Sequence, residues 1–118
     1  MKHQNLQDRT RKFALSVIKF TEQLSRDDTS KTIGRQLLRS GTSVGANYRA
    51  ACRGKSKADF ISKMNTVLDE ADESAFWIEL LLDAGKAAPQ LAQPLLAEAN
   101  ELTAITASSI KTAKRNSE

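Results

Sequence analysis

Four cations stand at spacings that share one helix face: Lys31, Arg35, Arg49 and Arg53, with Lys55 and Lys57 just beyond. At steps of about 100° per residue they collect with Thr42 on the side away from the apolar positions. A cationic row of this kind can track a phosphate backbone without reading bases, giving salt-sensitive, weakly sequence-specific binding. The same row equally suits a solvated helix face, or pairing with acidic side chains of a neighbouring subunit. Other chemistry is poorly supplied. The single histidine, His3, stands near the amino terminus, so no His pair or His–Cys site can form within one chain. The single cysteine, Cys52, excludes an internal disulfide and reads as a buried structural thiol, since no histidine is placed to activate it. The acidic pairs Asp69/Glu70 and Asp72/Glu73 lack the histidines of a di-metal bundle. No glycine-rich phosphate loop follows a strand. The residues point away from an enzyme and call for no cofactor or metal.

The elements that must position these side chains are helices. A chain of 118 residues with two prolines and five glycines fits one all-α domain, residues 1–118. Its longest apolar cluster, Ala75 to Leu82, is broken by Glu79 and is too short to span a bilayer, so no membrane partner is expected. The polar amino terminus and lone cysteine fit a soluble protein of a reducing cytoplasm. The net charge of +4 hides an asymmetry, because residues 1–55 hold twelve Lys/Arg against four Asp/Glu while residues 56–110 hold three against nine.

Apolar spacing predicts helices near 6–26, 29–53, 57–84 and 94–115, joined by short loops into an antiparallel up-down-up-down four-helix bundle. Leu6, Phe13, Val17, Phe20 and Leu24 line the first, with Asn5 as its cap and Thr10 filling a gap. The second carries Ile33, Leu37, Ser40, Val44, Tyr48 and Ala51 on one face, and Gly34, Gly41, Gly45 and Cys52 as a neighbouring stripe of small groups. Mid-helix glycines cost about 1 kcal/mol each against alanine, so Gly41 and Gly45 serve a close approach, either by another helix of the chain or by another subunit. Gly54 suits a left-handed helix stop, Ser56 and Asp59 form a capping box, and Gly85 ends the third helix. Lys86–Gln93 reads as loop, with Pro94 in the first turn of the fourth helix, whose seam is Leu95, Leu102, Ile105 or Thr106, Ser109 and Ala113. The tail from Lys111 to Glu118 is expected to fray.

Antiparallel packing of the second and third helices sets Arg39 and Ser40 level with Glu70 and Glu73, and Ser43 and Asn47 at the same edge complete a polar cluster. Such a cluster specifies register more than it adds stability. Phe76 and Leu80 lie opposite the third helix's core seam, with Trp77 at its flank. An outward apolar patch marks a subunit interface unless the fourth helix or the first loop covers it.

The run Gln36-Leu37-Leu38-Arg39-Ser40-Gly41-Thr42-Ser43-Val44-Gly45-Ala46-Asn47-Tyr48-Arg49 resembles the core motif of the four helix bundle family encoded within intervening sequences of bacterial 23S rRNA genes. Ser56-Lys57-Ala58-Asp59-Phe60-Ile61, Asp69-Glu70-Ala71-Asp72-Glu73 and Phe76-Trp77-Ile78-Glu79-Leu80-Leu81 are similar to its second block. Ala50 departs from the glutamate common there, so any ion pair made at that position is missing. The resemblance implies a homopentamer of four-helix bundles. It also implies likeness to the accessory variability determinant of diversity-generating retroelements, a basic pentamer that binds nucleic acid and a reverse transcriptase. The partners to expect are further copies of the chain, RNA or DNA, or a protein.

Overall fold

A computed structural model describes residues 3–116, with side chains from residue 5 onward. The expectations for the His3 side chain and for residues 1–2 and 117–118 lie outside the described residues. Four helices make up the fold: α1 (His3–Glu22), α2 (Asp28–Cys52), α3 (Lys57–Asp83) and α4 (Pro89–Arg115). No strand occurs among the described residues. Each helix packs on its chain neighbour, and α4 returns to α1 along the sparsest of the four seams. The diagonal pairs stand farther apart than any neighbouring pair. The body measures 49 × 20 × 19 Å, so α3, at about 1.5 Å per residue, runs most of its length.

The core follows the apolar spacing. Phe13, Leu37, Met64, Ile78, Leu81 and Leu102 are fully buried and come from all four helices. Thr10, also buried, turns its hydroxyl onto the carbonyl of Gln7 (3.1 Å), which lets a polar residue sit in the α1 seam without an unmet hydrogen bond.

Local signals explain where most helices begin and end. Asp27 caps α2, accepting from the Ser30 amide at 2.9 Å, and Ser56 caps α3, accepting from the Asp59 amide at 3.0 Å. Gly85, at φ +69°, closes α3: its N–H reaches the Leu82 carbonyl (3.0 Å) and the Lys86 N–H reaches that of Leu81 (2.8 Å), the paired bonds of a Schellman stop.

Several boundaries differ from the sequence expectation. Helix α1 starts before Asn5 and stops at Glu22, because Ser25 and Asp27 are drawn into the cap of α2; Leu24 therefore packs against the core from the connection. Gly54 is not left-handed. It is needed for room, since a Cβ there would lie 3.0 Å from a carboxylate oxygen of Asp59 and 3.1 Å from the Ala51 carbonyl. Helix α4 begins at Pro89 and carries Pro94 inside, where its ring removes the donor that would meet the Gln90 carbonyl. The buried positions of α4 are Ala92, Leu95, Ala99, Leu102, Thr106 and Ile110, so its seam ends on Ile110 rather than on Ser109 and Ala113. The tail stays helical through Arg115.

Candidate nucleic-acid interface

The outer face of α2 presents Lys31, Arg35, Arg49 and Arg53 to solvent, all exposed. Their orientation is fixed by the opposite face, where Leu37, Ser40, Val44 and Tyr48 are buried. It is fixed further by the glycine edge. A Cβ at Gly41 would fall 2.8 Å from Val17, and one at Gly45 would fall 3.3 Å from the Thr10 carbonyl oxygen. Gly41 and Gly45, candidates for contact with another subunit, are thus used within the chain to bring α1 against α2.

That close approach adds Arg11 of α1 to the row, and the α1–α2 connection adds Arg26. Arg11, Arg49 and Arg53 line an open groove of ≈ 580 Å³ at one end of the α1–α2 seam. Arg26, Lys31 and Arg35 line a smaller one, ≈ 260 Å³, at the other end. Lys55 and Lys63 continue the first cluster past Arg49 and Arg53. Lys57 is not brought to this face: it opens onto a separate groove beside Tyr48, Phe60 and Ser109. Arg11 and Arg26 escape a reading of α2 alone. The signal that could place Arg11 is the glycine edge, which dictates which side of α1 must lie next to Arg49.

None of Lys31, Arg35, Arg49, Arg53, Lys55 and Lys57 forms an ion pair with another described residue. Arg11, Lys19, Arg26, Lys111, Lys114 and Arg115 likewise form none, whereas five bases are paired. Arg9 pairs with Glu98 at 2.6 Å, Lys12 with Asp8 at 2.9 Å, Lys63 with Asp59 at 2.5 Å and Lys86 with Asp27 at 3.5 Å. Arg39 forks onto Glu70 (3.2 Å) and Glu73. Glu73 also accepts from the Trp77 indole at 2.9 Å. Beneath this fork Ser40 and Ser74 share a buried hydroxyl contact of 2.9 Å. Ser43 and Asn47 take no part: they donate to the Arg39 and Ser43 carbonyls of their own helix, at 2.7 and 2.8 Å.

On α3, Phe76 is 50% exposed and meets Trp77 edge-on at 5.1 Å, while Trp77 and Leu80 are half-buried. No group of metal-ligating side chains forms among the described residues. Tyr48 is buried, and desolvation first, then its hydrogen bond with Cys52, pushes its phenol above the ordinary tyrosine range. Among the described residues no helix is long and apolar enough to cross a membrane.

The described residues form a four-helix all-α bundle with exposed cations gathered along the α1–α2 seam. Within that class the chain belongs to the 23S rRNA-intervening sequence protein family, whose model matches residues 2–108. No curated protein matches it. It is similar to a solved structure from Bacteroides thetaiotaomicron, a protein of unknown function from the S23 ribosomal protein family, at 33% identity and a TM-score of 0.86. That match covers 94% of this chain and 99% of the other.

Proposed function

We propose that this protein is a non-enzymatic, cytoplasmic homo-oligomer that binds the phosphate backbone of nucleic acid, without reading bases, through the basic face of α2. The subunits would be antiparallel up-down-up-down bundles joined as a homopentamer, with Phe76, Trp77 and Leu80 at the contact. The observation that carries this reading is the clustering of cations along the α1–α2 seam: Lys31, Arg35, Arg49 and Arg53, with Arg11 and Arg26, line its two grooves with Lys55 beyond, and all are exposed and form no ion pair with a described residue. Titration of labelled RNA and DNA at several salt concentrations tests it. Neutralising about four phosphates predicts a log–log salt slope of roughly −3 to −4 for a duplex. Absence of binding at low salt, or binding untouched by combined Arg35→Glu, Arg49→Glu and Arg53→Glu, overturns it.

The exposed Phe76 favours a second reading, a scaffold that engages a protein partner and has no affinity for nucleic acid. Recovery of one stoichiometric protein and no nucleic acid from a pull-down would select it.

A further inference from the structure

The outer stripe of α3 matches the outer stripe of α2 in length and opposes it in charge. On α3, Asp69, Asp72, Glu79 and Asp83 are exposed, form no ion pair with a described residue, and surround the exposed ring of Phe76. On α2, Arg35 and Arg49 bracket Leu38, Thr42 and Ala46. Asp69 to Asp83 is fourteen residues, and so is Arg35 to Arg49; each pair therefore stands about 21 Å apart along its helix. Phe76 is the midpoint of the first pair and Thr42 of the second. The patch at that midpoint suits an aromatic ring. Leu38 is 37% exposed, Ala46 is exposed, and the Thr42 hydroxyl already donates to the Leu38 carbonyl at 2.7 Å, so covering it orphans no donor.

We infer that the α3 stripe of a second copy docks on the α2 stripe, with Phe76 over Thr42 and the carboxylates of Asp69 and Asp83 against Arg49 and Arg35. The inference rests on the oligomeric part of the function proposed above. The two stripes lie on neighbouring helices of the bundle, so each subunit offers one to each side. This head-to-tail contact can close into a ring. It has a regulatory consequence: the acidic stripe occupies the cations that a phosphate backbone would use, so self-docking and polyanion binding compete for Arg35 and Arg49.

Three variants and sedimentation velocity test this, with oligo-dT of twenty nucleotides as the polyanion. Asp69→Lys with Asp83→Lys should raise the dissociation constant of assembly at least tenfold while oligo-dT binds at least as tightly. Arg35→Glu with Arg49→Glu should lose both activities. All four substitutions in one chain should restore assembly, because the charges are exchanged, but not oligo-dT binding. Oligo-dT should also dissociate the wild-type assembly. A wild-type monomer, assembly indifferent to Asp69→Lys/Asp83→Lys, or a fourfold variant that stays dissociated overturns the docking. Assembly that behaves as described with no oligo-dT bound by any variant would retain the docking and refute the nucleic-acid reading instead.

Discussion

Gly41 brings α2 so near to α1 that a Cβ on it would stand 2.8 Å from Cγ2 and 2.9 Å from Cγ1 of Val17. Val17 is completely buried and its β-branched side chain has little rotamer freedom, so the overlap must be relieved by moving a helix. Gly41→Ala should therefore destabilise the bundle by about 1–3 kcal/mol despite the better helix propensity of alanine. Gly34 is the internal control. A Cβ there meets only the Cδ1 end of Leu24, at 3.1 Å, and Leu24 sits in the connection where it can yield. Gly34→Ala should stabilise by up to about 1 kcal/mol through helix propensity. Urea unfolding of both variants checks the pair, and equal signs would refute the crossing argument.

The buried serine pair sets register at low energetic worth. Ser40 and Ser74 are fully buried, 2.9 Å apart, and each also reaches a carbonyl of its own helix, Leu37 at 3.3 Å and Glu70 at 2.8 Å. Either single alanine variant should cost about 1 kcal/mol, while the double variant should cost less than the two singles together, because no hydroxyl is left without its cross-helix partner. A double-mutant cycle by denaturant unfolding measures this coupling.

Above that pair, the Arg39 fork is half exposed, so solvent discounts it. Arg39→Ala should lose no more than about 1 kcal/mol, with the loss shrinking as salt rises. Glu73 gives a second readout because it accepts from Trp77, the only tryptophan in the chain. Glu73→Ala should shift the tryptophan emission without unfolding α3. An unchanged spectrum would show that the indole does not use this carboxylate in solution.

Why some of these features could be read in the sequence and others could not follows from the range of the forces involved. Ser56 with Asp59, and Gly85 with Lys86, act within one turn of chain, and their residue types name their roles. The α1 and α3 seams repeat every three or four residues, and burial at Phe13, Val17, Met64 and Val67 follows that repeat. Pro94 is ambiguous because a proline suits a first helical turn, yet Pro89 satisfies the same rule five residues earlier, and Pro94 lies within the helix at an exposed position. Ser43 and Asn47 share the edge of Arg39, but their short side chains are satisfied by their own helix before they can cross to α3. The cation cluster is half visible: the α2 row is a matter of rotation about one axis, whereas Arg11 joins it only through the rotation of α1, which Gly41 and Gly45 set from the other helix, and Arg26 joins it from the α1–α2 connection.

The helix caps give the fold a defined acid limit. Asp27 is held well below the ordinary carboxylate range, first by the Ser25 hydroxyl, then by the Ser30 amide, with Lys86 adding attraction. Asp59 is lowered chiefly by its hydrogen bond with Lys63 and then by the Lys55 amide. In both, folding favours the charged form. Their contribution is complete above the unfolded carboxylate value, near 3.9, and is lost as pH falls through the lower folded values. The melting temperature should therefore hold steady from pH 7 to about 4.5 and decline below about 4. Asp27→Asn keeps a capping acceptor but cannot titrate. It should lower the plateau and flatten the acid decline, so that wild type and variant converge toward pH 2. Parallel curves across that window would remove Asp27 as the source of the acid sensitivity.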